Sequence, residues 1–243
     1  MKKFDDIDES RRKILLQALA LGAASTLASQ NALASLFGNR PAQLPNDQSI
    51  YRITGDATVN GKPATLQTRI FPGDTVATGK DSEIIFVVNS HSMILRANSH
   101  LVIETPSNNA AALLISGLRL LTGKLLSVSR NSPMQINTAT ATIGIRGTGF
   151  YVEADPELTY FCTCYGVTDI AASSDPLSRE TVTSQHHDRP LYIVAGASEG
   201  KNIRNAPFIN HTDQELLLIE TLVGRTTPFV FANDAYSAPR RDY

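Results

Sequence analysis

The 243-residue chain has no tryptophan, two cysteines, three methionines and only 7% aromatic residues. Its core must therefore be built from Leu, Ile and Val. Charge of one sign is lacking too, with a formal net charge of -1. Nucleic acids and anionic membrane surfaces both select a basic face, so neither is an expected partner. Long hydrophobic runs are also missing. The best, from Ile14 to about Ala28, is interrupted by Gln17, Gly22, Ser25 and Thr26, which makes it too short and too mild for a comfortable membrane span. Serine-nucleophile, phosphate-loop and paired-carboxylate patterns are absent, and Gly144 to Gly149 lacks the strand-to-helix setting of a dinucleotide loop. The expectation is a non-enzymatic protein.

What is present begins with an address. Arg11, Arg12 and Lys13 stand directly before the apolar stretch, and Ala32-Leu33-Ala34 follows it. Basic region, apolar region and small-x-small site in that order make an export signal, with a mature start at Ser35. Ser10-Arg11-Arg12 resembles the twin-arginine type, although Ile14 stands where that type usually has an aromatic residue. The expected location is the periplasm, with an uncleaved membrane anchor as the alternative. Removing residues 1–34 takes away five basic and four acidic side chains and leaves a net charge of -2. The mature form has no expected membrane span, and its roughly 200 residues can build one substantial core or two small ones.

Residues 35–49 read as a linker rich in Pro, Asn and Gln. From Ile50 to about Ile170 come short β-branched and aliphatic runs separated by Gly, Asn, Asp and Pro, the spacing of an all-β domain. Expected strands include Ala64–Thr68, Glu83–Val88, Ala112–Ile115, Gly117–Leu121, Lys124–Val128, Met134–Asn137, Gly149–Glu153 and Thr159–Cys164. Residues 171–188 read as a loop containing one strand, and Leu191–Val194 as another strand. The β domain is bounded at 50–195, followed by a C-terminal extension at 196–243. Within the extension, Thr212 and Glu215 form a capping box that starts a helix over about 213–223, stopped by Gly224. Pro228 to Phe231 reads as an edge strand and 235–243 as a polar tail. His91 and His100 read as surface residues in turns.

Several of these segments carry a family pattern. Gly73-Asp74-Thr75-Val76-Ala77-Thr78-Gly79-Lys80-Asp81-Ser82, then Ile84 to Val88, Met93 to Leu95 and Ser99 to Ile103, resemble the FecR domain. Leu118 to Leu126, centred on Gly123, and Ile136 to Val152, containing Arg146-Gly147-Thr148, are similar to its second half. The resemblance covers about residues 50–170 and implies an all-β fold of many short strands, solenoid- or sandwich-like, here with one C-terminal helix. Arg146-Gly147-Thr148 reads as a buried turn with a satisfied arginine. FecR-type proteins are known as regulators that carry a signal across the envelope through one membrane span and a short cytoplasmic segment. Only ten residues precede Arg11, so the expectation is an exported, stand-alone domain used for binding or sensing, with an envelope protein or small ligand as partner.

One chemical constellation stands out. Cys162 and Cys164 lie in Tyr160 to Gly166, which reads as a strand, so positions i and i+2 present both sulfurs on one face. His186 and His187 follow, and both reach one site only if the backbone there turns. Cys162, Cys164, His186 and His187 are thus a candidate metal or cofactor set suited to zinc, copper or iron, with His211 and Asp188 as further members. The alternatives are a redox-active CxC pair, which flat strand geometry opposes, and a structural envelope module with inert cysteines.

Overall fold

The computed structural model describes residues 42–106, 114–129, 133–196 and 201–229. The expected signal, residues 35–41 of the expected linker, the tail, and Val230 and Phe231 of the expected edge strand lie outside the described residues. Among the described residues the strands are β1 (Ile50–Thr54), β2 (Ala57–Val59), β3 (Lys62–Pro63), β4 (Thr75–Thr78), β5 (Glu83–Val88), β6 (His91–Leu95) and β7 (His100–Glu104). There follow β8 (Gly117–Ser129), β9 (Met134–Asn137), β10 (Ala141–Ala154), β11 (Leu158–Ala172), β12 (Asp175–Ser184), β13 (Leu191–Val194), β14 (Ile203–Asn205) and the helix α1 (Asp213–Leu222). Among the described residues the protein is all-β with a single helix, and no described helix is long and apolar enough to cross a membrane.

All the strands belong to one open, branched sheet, whose main path runs β14-β13-β11-β10-β9-β8-β7-β4-β2-β3. Its long strands change partners along their length. β10 pairs with β9 through residues 142–145 and with β8 through 148–154, while β11 pairs with β13 and then with β12. The pleat sends alternate side chains to opposite faces. Phe150, Val152 and Phe161 enter one apolar cluster with Leu125, Met93 and Phe86. Tyr151, Tyr160, Cys162 and Cys164 enter a second cluster with Ile85, Ile94, Leu126, Val128, Leu216, Ile219 and Leu222. α1 covers this second face.

The sequence pattern misplaces several boundaries. The run 64–68 is a turn, because Ala64 N–H donates to Ala57 O and closes the β2–β3 hairpin instead. The two strands expected around Gly123 are the single strand β8. Gly123 adopts φ 93°, and a Cβ there would lie 2.4 Å from Ser99 Cα, so glycine lets the strand bend against its neighbour without ending. Arg146-Gly147-Thr148 lies within β10, with Gly147 at the irregularity between Arg146 and Gly149. Arg146 is exposed rather than buried and pairs with Asp169.

α1 begins as the capping box predicts. Glu215 N–H donates to Thr212 Oγ1 at 3.3 Å and Thr212 N–H to Glu215 Oε2 at 2.9 Å. Beyond its C-terminal end, Gly224 takes φ 69° and Arg225 N–H reaches back to Glu220 O. Arg225 also donates to Glu220 Oε2 and to Ser90 O, tying the helix end to the β5–β6 turn.

Next to that turn, His91 is 4% exposed rather than a surface residue. Burial, with the Arg225 guanidinium adding to it, lowers its pKa to about 4. An unfolded histidine titrates near 6.5, so between about pH 6.5 and 4 only the unfolded chain takes up the proton, and stability falls as pH falls. His91→Gln is expected to remove about 3 kcal/mol of this acid destabilisation. Denaturant titrations at pH 7 and pH 4 check it, and an unchanged difference between the two pH values would rule His91 out as the cause.

Candidate metal centre

β11 turns Cys162 and Cys164 to the face under α1, as i and i+2 spacing requires, and both are 0% exposed. The chain then runs through β12 into a turn at residues 185–187. Asp188 shapes that turn, its Oδ2 accepting from Gln185 N–H at 2.6 Å and His186 N–H at 3.4 Å. Those bonds, the Gln185 one foremost, lower its pKa, and this is the role the structure gives Asp188. His187 takes φ 54°, a left-handed conformation, and donates its N–H to Cys164 O at 2.9 Å. That backbone twist sends His187 inward to the sulfurs and leaves His186 at the rim with a side chain 41% exposed.

The fourth member arrives from the segment before α1. His211 is 0% exposed and stacks on Tyr151 with ring centroids 4.5 Å apart. The ligating atoms of Cys162, Cys164, His187 and His211 all lie within 4.8 Å of one another. Cys162 Sγ is 3.5 Å from His187 Nδ1, Cys164 Sγ is 3.4 Å from His211 Nε2, and the two nitrogens are 3.2 Å apart. His211 thus occupies the place that the sequence pattern assigns to His186.

Outer contacts orient both rings. His187 Nε2 is 2.9 Å from Asp213 Oδ1, and His211 Nδ1 is 2.7 Å from Ile209 O. Carboxylate and carbonyl oxygens only accept, so each of these nitrogens carries the hydrogen. The remaining nitrogens, His187 Nδ1 and His211 Nε2, then point lone pairs at each other and at the thiols. A hydrogen donated from each thiol, or a metal ion held by all four atoms, would meet those lone pairs. Asp213 also accepts from His186 Nε2 at 2.9 Å, so one buried carboxylate holds both adjacent histidines. Sequence reasoning missed Asp213, although its position two residues after His211 was a usable signal.

The electrostatics agree with shared protons. Burial works against the Cys162 thiolate, but the hydrogen bond from Cys164, the His211 charge and the His187 hydrogen bond outweigh it and hold its pKa well below the usual thiol value. Burial first, and then Cys162 as neighbour, push Cys164 well above it. Burial disfavours charge on His187 as well, yet its bonds to Cys162 and Asp213 raise its pKa. The two buried thiols are thus pushed in opposite directions, Cys162 toward the charged form and Cys164 away from it.

Residues 74–163 match the family model described as FecR protein. This stretch of the chain is similar to the FecR domain. No curated protein matches its sequence. Two crystal structures of a candidate anti-sigma factor from Parabacteroides distasonis are similar in fold. One is 12% identical over 62% of this chain and 74% of the other, with a TM-score of 0.42. The second is 13% identical over 67% and 81%, with a TM-score of 0.43. The matched part of the FecR domain ends at Thr163, between the cysteines. Cys164, His187 and His211 thus lie beyond it, on segments that the domain's last matched strand draws together.

Both cysteines are free thiols with no exposed surface. A bulky thiol reagent is expected to label neither in the folded protein and both after denaturation. Rapid labelling of the native chain would contradict the burial.

Proposed function

We propose that this protein is an exported, non-catalytic FecR-domain module for binding or sensing, holding one zinc ion in a closed centre of Cys162, Cys164, His187 and His211. The observation that carries this reading is the convergence of two lone-pair nitrogens on two buried sulfurs, with the opposite nitrogen of each ring fixed by an acceptor. Metal-bound histidines characteristically donate their second N–H to a carboxylate or carbonyl. Size supports it too. Zinc bonds of about 2.3 Å to sulfur and about 2.0–2.1 Å to nitrogen make tetrahedral edges of about 3.6 Å for S–N and about 3.3 Å for N–N. The distances here are 3.5, 3.4 and 3.2 Å.

The donor set favours zinc over the copper and iron that the sequence also allows, since two sulfurs and two nitrogens in a tetrahedron suit zinc best. Four protein ligands leave no position for a water, the pattern of a structural rather than a catalytic site. The redox alternative fits less well. Residues i and i+2 of a strand are about 6.6 Å apart at 3.3 Å rise per residue, whereas disulfide Cβ atoms approach to about 3.8 Å. Closing that bridge would break β11. Export rests on Arg11, Arg12 and Ala32-Leu33-Ala34, and the partner is an envelope protein or small ligand.

Elemental analysis of the purified full chain is expected to find about one zinc per chain. Cys162→Ser and His211→Ala should lose it and His186→Ala should keep it, while Asp213→Asn weakens affinity about 10–100-fold. Zinc retained by His211→Ala but lost by His186→Ala would overturn this ligand set. A metal-free wild type whose thiols oxidise reversibly would replace it with the redox reading.

A further inference from the structure

The centre joins pieces of chain that are otherwise only neighbours. Cys162 and Cys164 sit on β11, at the heart of the sheet, and His187 on the turn after β12. His211 alone comes from the C-terminal segment that lies over the second apolar face. The other polar anchors at this end of the segment sit close by. Ile209 N–H reaches Tyr160 Oη at 3.3 Å, Asn210 Nδ2 donates to Glu153 Oε1 at 2.6 Å, and Asp213 holds His187. The segment's own order is weak, because α1 has only ten residues and an isolated helix of that length is marginal in water. Its stability is borrowed from what it touches.

Resting on the zinc reading above, we infer that metal binding and docking of the C-terminal segment are one coupled event. Filling the centre seats residues 206–222 on the sheet, and emptying it lifts them. Lifting them uncovers an apolar face that includes Ile85, Ile94, Leu126, Val128, Tyr151 and Tyr160. Those residues sit on strands whose register is fixed by sheet hydrogen bonds independent of the segment, so the face survives its departure. The centre thereby converts metal availability into exposure of a surface. Other contacts along α1 oppose this release: Arg96 to Glu215, Tyr165 to Glu220, Arg225 to Ser90 O, and Leu44 N–H to Leu222 O. The coupling holds only if the centre outweighs them.

Hydrogen exchange on the full chain, with zinc and with zinc chelated, tests this. Amides of residues 209–222 are expected to exchange at least about tenfold more slowly with zinc, while those of β8 and β10 stay unchanged. An apolar dye such as anilinonaphthalene sulfonate should brighten only in the chelated form. Linkage is reciprocal, so Ile219→Asp, which undocks the helix without touching a ligand, should weaken zinc binding by at least about tenfold. Zinc binding with equal exchange of 209–222 in both forms would overturn the coupling, as would exchange that rises equally in β8 and β10. Unchanged zinc affinity in Ile219→Asp would do the same. Failure of the full chain to bind zinc at all would sink the reading of the centre itself, and this inference with it.

Discussion

The pleat of β10 and β11 is the constraint on which the rest of the molecule depends. In register, Tyr151 lies opposite Cys162, Val152 opposite Phe161 and Phe150 opposite Thr163. Each step along the pair changes face, so one sequence of alternating side chains supplies two apolar clusters. Phe150 and Phe161 stack at 5.8 Å on one face, and Tyr151 meets Tyr160 at 6.0 Å on the other. A slip of one residue would carry both sulfurs into the first cluster, away from every histidine, and would bury the Glu153 carboxylate among Val152's neighbours. The position of the cysteines and the integrity of the core are therefore a single requirement.

Features whose signals are local were legible in the sequence. The capping box placed the start of α1, strand alternation put both cysteines on one face, and short β-branched runs marked β5, β9 and β13 at their observed bounds. What escaped depends on contacts between distant residues. Gly123 looks like a turn residue until Ser99 is packed against it. His91 looks exposed until Arg225, far along the chain, is placed beside it. Choosing between His186 and His187 required the left-handed φ of His187, and His211, named from the sequence only as a further member, arrives by a tertiary event across 47 residues from Cys164. Asp213 reads locally as an acidic residue favourable at a helix start, which conceals its second role as the acceptor for two imidazoles.

The C-terminal segment completes the domain in two chemically different ways. Leu216, Ile219 and Leu222 cover apolar surface, a non-directional contribution that tolerates small shifts of the helix. His211, Asn210 and Asp213 make directional contacts that fix where the helix starts. The partly buried pair Arg96–Glu215 at 2.8 Å belongs with the second group, since Glu215 also closes the capping box. One carboxylate thus links helix initiation to docking on β6, and α1 forms most readily where it is seated.

Charge balance supports the proposed zinc ion. A site with no exposed surface cannot hold net charge cheaply. Two thiolates and two neutral imidazoles carry two negative charges, which a divalent ion would cancel and a monovalent ion would leave half compensated. Asp213 lies outside that sum, and partly exposed His186 meets its Oδ2 from the rim while His187 meets Oδ1. The adjacent histidines thereby divide the work that their sequence spacing seems to assign jointly. His187 faces inward as donor to the centre, and His186 faces outward to stabilise the carboxylate that orients it.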